Sequence, residues 1–185
     1  NSHRQAAARQ RAAREQLERI EQAQRELQEM QEKYDARTSS VKRSPPRAST
    51  TDPQARRMKM GDNGFRPALN VQFASDEKQL VVSVDVTSQG SDNGLMTPMY
   101  HDVCERYGVV PKDYLVDGGF SKKDDVTELE KNGTEVYAPL YNEKQQLDKG
   151  QDPYAPRTGE SAEMTKHRAR MGTAEAKAKY KRRGM

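Results

Sequence analysis

Of the 25 Leu, Ile, Val and Phe residues in this 185-residue chain, 20 lie between Phe65 and Leu140, including eleven of the twelve valines. Burial of apolar surface is the main drive to fold, so a packed core can form in that stretch alone. Over the whole chain these four residue types make up about 14 per cent, below the roughly 20 per cent under which disorder is the starting assumption. The expectation is one compact region between two long polar arms, which is all the length allows.

Charge divides the chain in the same way. The balances are 0 over residues 1–36, +6 over 37–60, −8 over 61–148 and +6 over 149–185, giving the net +4. An acidic centre between basic segments suits a protein that meets a polyanion with its arms and holds cations in its middle. Solvated charge on disordered tails is the competing explanation.

Several classes are excluded. No run approaches the roughly 20 apolar residues of a membrane span, and no signal peptide precedes the chain, so a soluble intracellular protein with no membrane partner is expected. Cys104 is the only cysteine, and with His3, His101 and His167 it forms no zinc-site spacing. An Asn at position 1 suggests a processed or partial chain.

Residues 1–37 lack Gly and Pro and are rich in Ala, Gln, Glu and Arg, which predicts one long helix. Its thin stripe of Leu17, Ile20, Leu27 and Tyr34 leaves two options, a solvated connecting helix or self-association through a coiled-coil seam. Residues 38–50 form a basic Ser/Pro linker suited to crossing a phosphate surface.

From Arg56 the period becomes that of strands. Arg56 to Met60, then Phe65 to Phe73 after the Gly61-Asp62-Asn63-Gly64 turn, then Leu80 to Val86, predict an antiparallel meander. Leu69, Val71 and Phe73, with Leu80, Val82, Val84 and Val86, are its expected apolar faces. A helix capped by Ser91 or Asp92 should carry Leu95, Met99, Val103 and Tyr107 and end at Gly108. A short strand at Tyr114-Leu115-Val116, a helix capped by Ser121 and a strand at Thr134 to Ala138 complete a βββαβαβ order, an α/β fold. Residues 141–159 read as a loop or insertion, and 160–185 as a basic helix interrupted at Gly172.

Asp117 follows the strand at 114–116 and precedes two glycines. Ligands gather beyond the carboxyl ends of strands in α/β sheets, so Asp117 is a candidate metal ligand; a turn-forming Asp is the alternative. Asp52, before Pro53, has the same two readings.

The blocks Thr51-Asp52-Pro53-Gln54-Ala55-Arg56, Gly64 to Gln72, Val84-Asp85-Val86-Thr87 with Gly90-Ser91-Asp92, Tyr114 to Phe120 and Val136-Tyr137-Ala138-Pro139 occur in collinear order. Together, residues 51–140 resemble the catalytic core of bacterial DDE-type insertion-sequence transposases. That resemblance implies an RNase H-like fold, a cytoplasmic, nucleoid-associated location and DNA as partner, both transposon ends and target. Asp52 and Asp117 match the family's first two catalytic, metal-holding acids, which with a later Glu hold two Mg²⁺ or Mn²⁺ ions. Oxygen ligands suit these hard cations, and such a pair of ions supports strand cleavage and strand transfer. Asp85 and Asp92 fall in matching blocks too, and are expected as a strand-face residue and a helix cap.

In the family the third acid follows a Tyr-x-x-Arg pattern by three or four residues. Here that pattern is Tyr180 to Arg183, so the Glu falls beyond Met185; Glu175 is out of register. The expectation is an incomplete, inactive transposase core, with a non-catalytic remnant that binds DNA or a partner transposase as the alternative. Arg43, Arg47, Arg56, Arg57, Arg168, Arg170, Lys181 and Arg183 are the candidate DNA contacts. A solvated basic helix is the other reading of 160–185, and no helix-turn-helix is evident, which places end recognition upstream.

Overall fold

The computed structural model describes residues 2–37 and 44–184. Arg43 and the first part of the 38–50 linker lie outside the described residues. The chain divides into two compact units, residues 1–72 with 86–90, and residues 73–85 with 91–185. No helix among the described residues is long and apolar enough to cross a membrane.

In the first unit the long helix α1 spans Ser2–Asp35. Strands β1 (Arg56–Lys59) and β2 (Phe65–Ala68) form an antiparallel hairpin, with Arg56 opposite Ala68 and Lys59 opposite Phe65. Its turn is held by the Asp62 carboxylate, which accepts the Gly64 N–H at 2.9 Å. That bond, and then Arg66, holds the Asp62 carboxyl below the usual carboxylate range. The expected stripe on α1 is displaced: Leu17 and Leu27 are exposed, whereas Ala23 is buried and Ile20, Met30 and Tyr34 are half-buried. Ala23 has no bulk beyond Cβ, which lets the helix approach its neighbours closely, and Glu26 one turn on pairs with Arg56.

The predicted strand over 65–73 breaks at Leu69 into β2 and β3 (Asn70–Ser75). Pro67 has no N–H to add to a ladder, which keeps β2 in a two-stranded ribbon. β3 pairs with β4 (Val81–Thr87) in another two-stranded ribbon, so the continuous meander is replaced by separate ribbons. Burial along β4 does not follow the expected alternation: Val81, Asp85 and Val86 are exposed and Val82 is half-buried. Leu80 and Val84 are exposed, as is Phe73 in β3, while Ser83 is buried and donates to Asp102 of helix α2 (Met96–Tyr107). A hydroxyl hydrogen-bonded to a carboxylate fixes this face where valines would leave Asp102 without that donor.

The core of the second unit surrounds β5 (Asp113–Leu115) and β6 (Glu135–Tyr137), which pair in parallel with Tyr114 opposite Val136. Helix α3 (Lys123–Lys131) connects them. Successive side chains of a strand point to opposite faces. Accordingly Val136 and Ala138, with Tyr114 and Val116, join Met96, Tyr100, Val126, Leu129 and Met164 on one side. Tyr137, with Leu115, joins Leu140, Met171 and Ala176 on the other. α2 ends at Gly108, whose φ of 63° is the left-handed conformation that glycine adopts without a Cβ penalty. Its start is not capped by Ser91 or Asp92: Leu95 is the cap residue, and Lys122 rather than Ser121 precedes α3.

The stretch expected as a loop contains helix α4 (Glu143–Asp148), and the basic tail forms α5 (Ala162–Met171) and α6 (Ala174–Lys181), separated at Gly172 as read. Ser161 and Thr173 cap the two, each hydroxyl accepting an N–H from three residues on. Two arginines of α5 are structural. Arg168, 4% exposed, donates to Glu160 Oε2 at 2.9 Å and to the Pro153 carbonyl at 2.6 Å. Arg170 donates to Glu130 Oε2 at 2.8 Å and to the Val136 carbonyl at 3.1 Å, tying α5 to α3 and β6.

Arg170→Ala leaves Glu130 buried without its partner, an expected loss of about 3 kcal/mol by denaturant titration. Removing both charges by Arg170→Met with Glu130→Gln should cost less than the single change. His167 supplies a pH dependence. It is buried, its ring nitrogens lack a well-formed hydrogen bond, and burial pushes its pKa down to about 4, with Glu130 opposing. The unfolded chain then binds a proton from about pH 6.5 downwards while the folded chain does not. Stability is therefore complete above about pH 6.5 and falls as pH drops towards 4. Thermal melts across that window should show the fall in the wild type and a shallower one in His167→Leu.

Candidate functional site

Asp117 stands just past the carboxyl end of β5, where the Val116 N–H still bonds the Tyr137 carbonyl at 3.1 Å. It caps a short 3₁₀ turn, Gly118–Phe120, and its Oδ1 accepts the Gly119 N–H at 2.9 Å. Phe120 anchors that turn by packing on the core around β6. The residue is exposed, and Oδ2 makes no hydrogen bond among the described residues. Both sequence readings of Asp117 are thus compatible: one oxygen holds the turn and the other faces outward.

A second carboxylate reaches the same place. Asp92 lies before α2, its carbonyl accepting the Leu95 N–H at 3.1 Å. α2 begins only at Met96, with Leu95 as its cap residue. A Cβ on Gly119 would sit 3.0 Å from Asp92 Oδ2 and 3.1 Å from Asp117 Oδ1. The two carboxylates therefore converge on a spot that only a glycine backbone leaves open. Sequence reasoning assigned Asp92 to a cap; the signal for its other role is the Gly118-Gly119 pair, which permits close approach.

Tyr180 of α6 packs in the cluster containing Tyr137 and Leu140. Burial, and more weakly the Asp117 charge, push its phenol up, with Arg183 opposing. The Arg183 guanidinium lies 4.9 Å above the Tyr180 ring. The two residues of the Tyr-x-x-Arg pattern are therefore in contact, and Tyr180 is within electrostatic reach of Asp117.

Asp52 belongs to the first unit, in a turn four residues before β1 rather than at the start of that strand. Ser49 Oγ accepts its N–H at 3.1 Å, and its own Oδ1 accepts the Gln54 N–H at 3.2 Å. Pro53 and Ala55 are buried beside it while Asp52 is exposed. Arg56 turns back onto this loop, donating to the Pro53 carbonyl at 2.9 Å and the Gln54 carbonyl at 3.0 Å.

The sequence profile of the transposase DDE domain matches residues 34–184. The chain belongs to the family of transposase DDE domains. No curated protein matches it, and no solved structure does.

Among the described residues of this transposase domain, no three His, Cys, Asp or Glu side chains gather closely enough to enclose a metal ion. The convergent Asp92 and Asp117 oxygens nevertheless have the right donor chemistry. Mg²⁺ is usually held by one or two carboxylates, with waters and substrate phosphate completing its shell. Of the candidate DNA contacts, Arg47, Arg57, Lys181 and Arg183 are exposed. Arg57 stacks 4.4 Å over the Phe65 ring, and Arg56 is half-buried on Glu26. Arg168 and Arg170 are corrected: buried carboxylates hold both guanidiniums, so they are not available to phosphate.

Gly119→Ala should push both carboxylate oxygens aside, at little cost in stability since each is the end of a flexible side chain. Gly118→Ala is the matched control, since nothing lies within 4 Å of its Cβ position. Side-chain carboxyl ¹³C shifts of Asp92 and Asp117 unchanged in Gly119→Ala would contradict the close approach.

Proposed function

We propose that this chain is the catalytic core of a bacterial insertion-sequence transposase, RNase H-like in fold, acting on transposon ends and target DNA. The observation that carries this reading is the convergence of Asp117 and Asp92 past the carboxyl end of the β5–β6 pair, in a chain matched to the DDE family over 34–184. Asp117 and Asp52 are the family's first two acids by position. Asp117, with Asp92 beside it, would hold a divalent cation in the second unit, and Asp52 would contribute to the same chemistry. In the family two Mg²⁺ or Mn²⁺ ions, when bound, activate the attacking oxygen and stabilise the leaving oxygen of a phosphodiester.

The chain's own residues have separable tasks. The Gly119 N–H fixes the Asp117 carboxylate so that one oxygen stays outward. Tyr180 positions Arg183 by ring stacking, and the exposed guanidinium can take up the charge of a DNA phosphate. The remnant reading, binding DNA or a partner transposase without cutting, predicts no need for a metal.

Manganese binding separates the two. Calorimetric titration of residues 1–185 should give Mn²⁺ binding weakened at least about tenfold by Asp117→Asn and by Asp52→Asn, with loss of a charged ligand. Affinities unchanged in both variants would contradict the catalytic reading.

A further inference from the structure

The first half of α1 shows a charge pattern that the candidate site does not use. Residues 2–14 contain Arg4, Arg9, Arg11 and Arg14 and no acidic residue. All four arginines are fully outside any packed surface, as are residues 3–19 as a whole. None of them makes a hydrogen bond or ion pair among the described residues, in contrast to Arg56 and Arg66 of the same unit, which pair with Glu26 and Asp62. Arg4 and Arg9 have only Ala and Gln one turn away on their own helix, so no intrahelical partner exists for them. Arg11 and Arg14 have Glu15 and Glu18 four residues on, the less favourable order for such pairs, and neither pair forms.

At 3.6 residues per turn, Arg4, Arg11 and Arg14 fall within an arc of about 80°, and Arg9 lies about 140° away from Arg4. A rise of 1.5 Å per residue spreads Arg4 to Arg14 over about 15 Å. Duplex DNA presents a negative charge about every 1.7 Å along its axis, so several phosphates lie within reach of such a face. The half-buried residues of α1 begin only at Ile20, and its ion pair to Arg56 is made by Glu26. The first half of the helix is thus exposed throughout residues 3–19 and carries guanidiniums with no internal use.

We infer that Arg4, Arg11 and Arg14 form a contact face for the phosphate backbone of double-stranded DNA, separate from the Asp117 site. The inference rests on the transposase reading for its choice of polyanion, and on charge complementarity for the surface. Binding there is independent of base sequence, since phosphates carry none.

The test is fluorescence anisotropy of residues 1–185 with a duplex of about 30 base pairs, taken from 50 to 200 mM salt. Each phosphate contact adds about 0.9 to the salt slope, so three contacts give an affinity loss over that range about 40-fold larger than in their absence. The triple change of Arg4, Arg11 and Arg14 to Gln keeps strong helix formers and should remove that excess loss. The corresponding triple change to Lys should keep most of it, and Arg9→Gln should leave it nearly unchanged. A slope unaltered by the Gln triple, lost equally in the Lys triple, or reduced by Arg9→Gln as much as by any face position would overturn the inference. So would no binding of duplex by the wild type, or tighter binding of single-stranded RNA of the same length. Mn²⁺ affinity, which tests the catalytic reading, is a separate readout, so either proposal can fail while the other stands.

Discussion

Two parallel strands of three residues each, buried on both faces, set the requirements for the rest of the second unit. A parallel pair needs a crossover, which α3 provides, and helices on both sides, which α2, α3 and α5 provide on one face and α6 with the end of α5 on the other. So short a pair has little strength of its own. Its edges are secured by side chains: Glu130 accepts the Val136 N–H at 2.9 Å, and Arg170 takes the Val136 carbonyl and the same Glu130. The ion pair thus completes the sheet as much as it joins α5 to α3. Lys179 of α6 closes the other end, donating to Asp113 Oδ1 at 2.6 Å and lying over the Tyr137 ring.

The same geometry generates the candidate site. Chain leaving β5 must turn at once to enter α3, and it does so through Asp117-Gly118-Gly119, a turn tight enough to be held by one carboxylate oxygen. The space left by the absent Cβ of Gly119 is where Asp92 arrives from the start of α2. Local turn chemistry and the juxtaposition of two acids are one feature, and Phe120, packed in the core, fixes it in place.

What was legible in the sequence follows from which forces are local. α1, the Gly108 terminus, the order of strands and helices after residue 91 and the strand–Asp–Gly–Gly turn are governed by propensity, capping and period, and all of these can be read along the chain. Facing is governed by partners far away in sequence. Ser83 is buried with its hydroxyl on Asp102 of α2, which no alternation pattern reveals, while Val81, Val84 and Val86 of β4 are exposed. For the same reason Arg168 and Arg170 read as surface charge, although Glu160 and Glu130 claim them. Asp92 was legible as an acid near a helix start; that the helix begins four residues later was not. The family resemblance reached the transposase DDE domain from five short blocks, and the profile match over 34–184 bears that out.

The account depends most on Asp117 being a carboxylate that receives a divalent cation and not only a turn former. Anomalous diffraction from crystals of the protein soaked in Mn²⁺ tests this directly. The account predicts a manganese peak at coordination distance from an Asp117 oxygen, with Asp92 adjacent. A crystal with manganese bound at other carboxylates and none at Asp117 would contradict it.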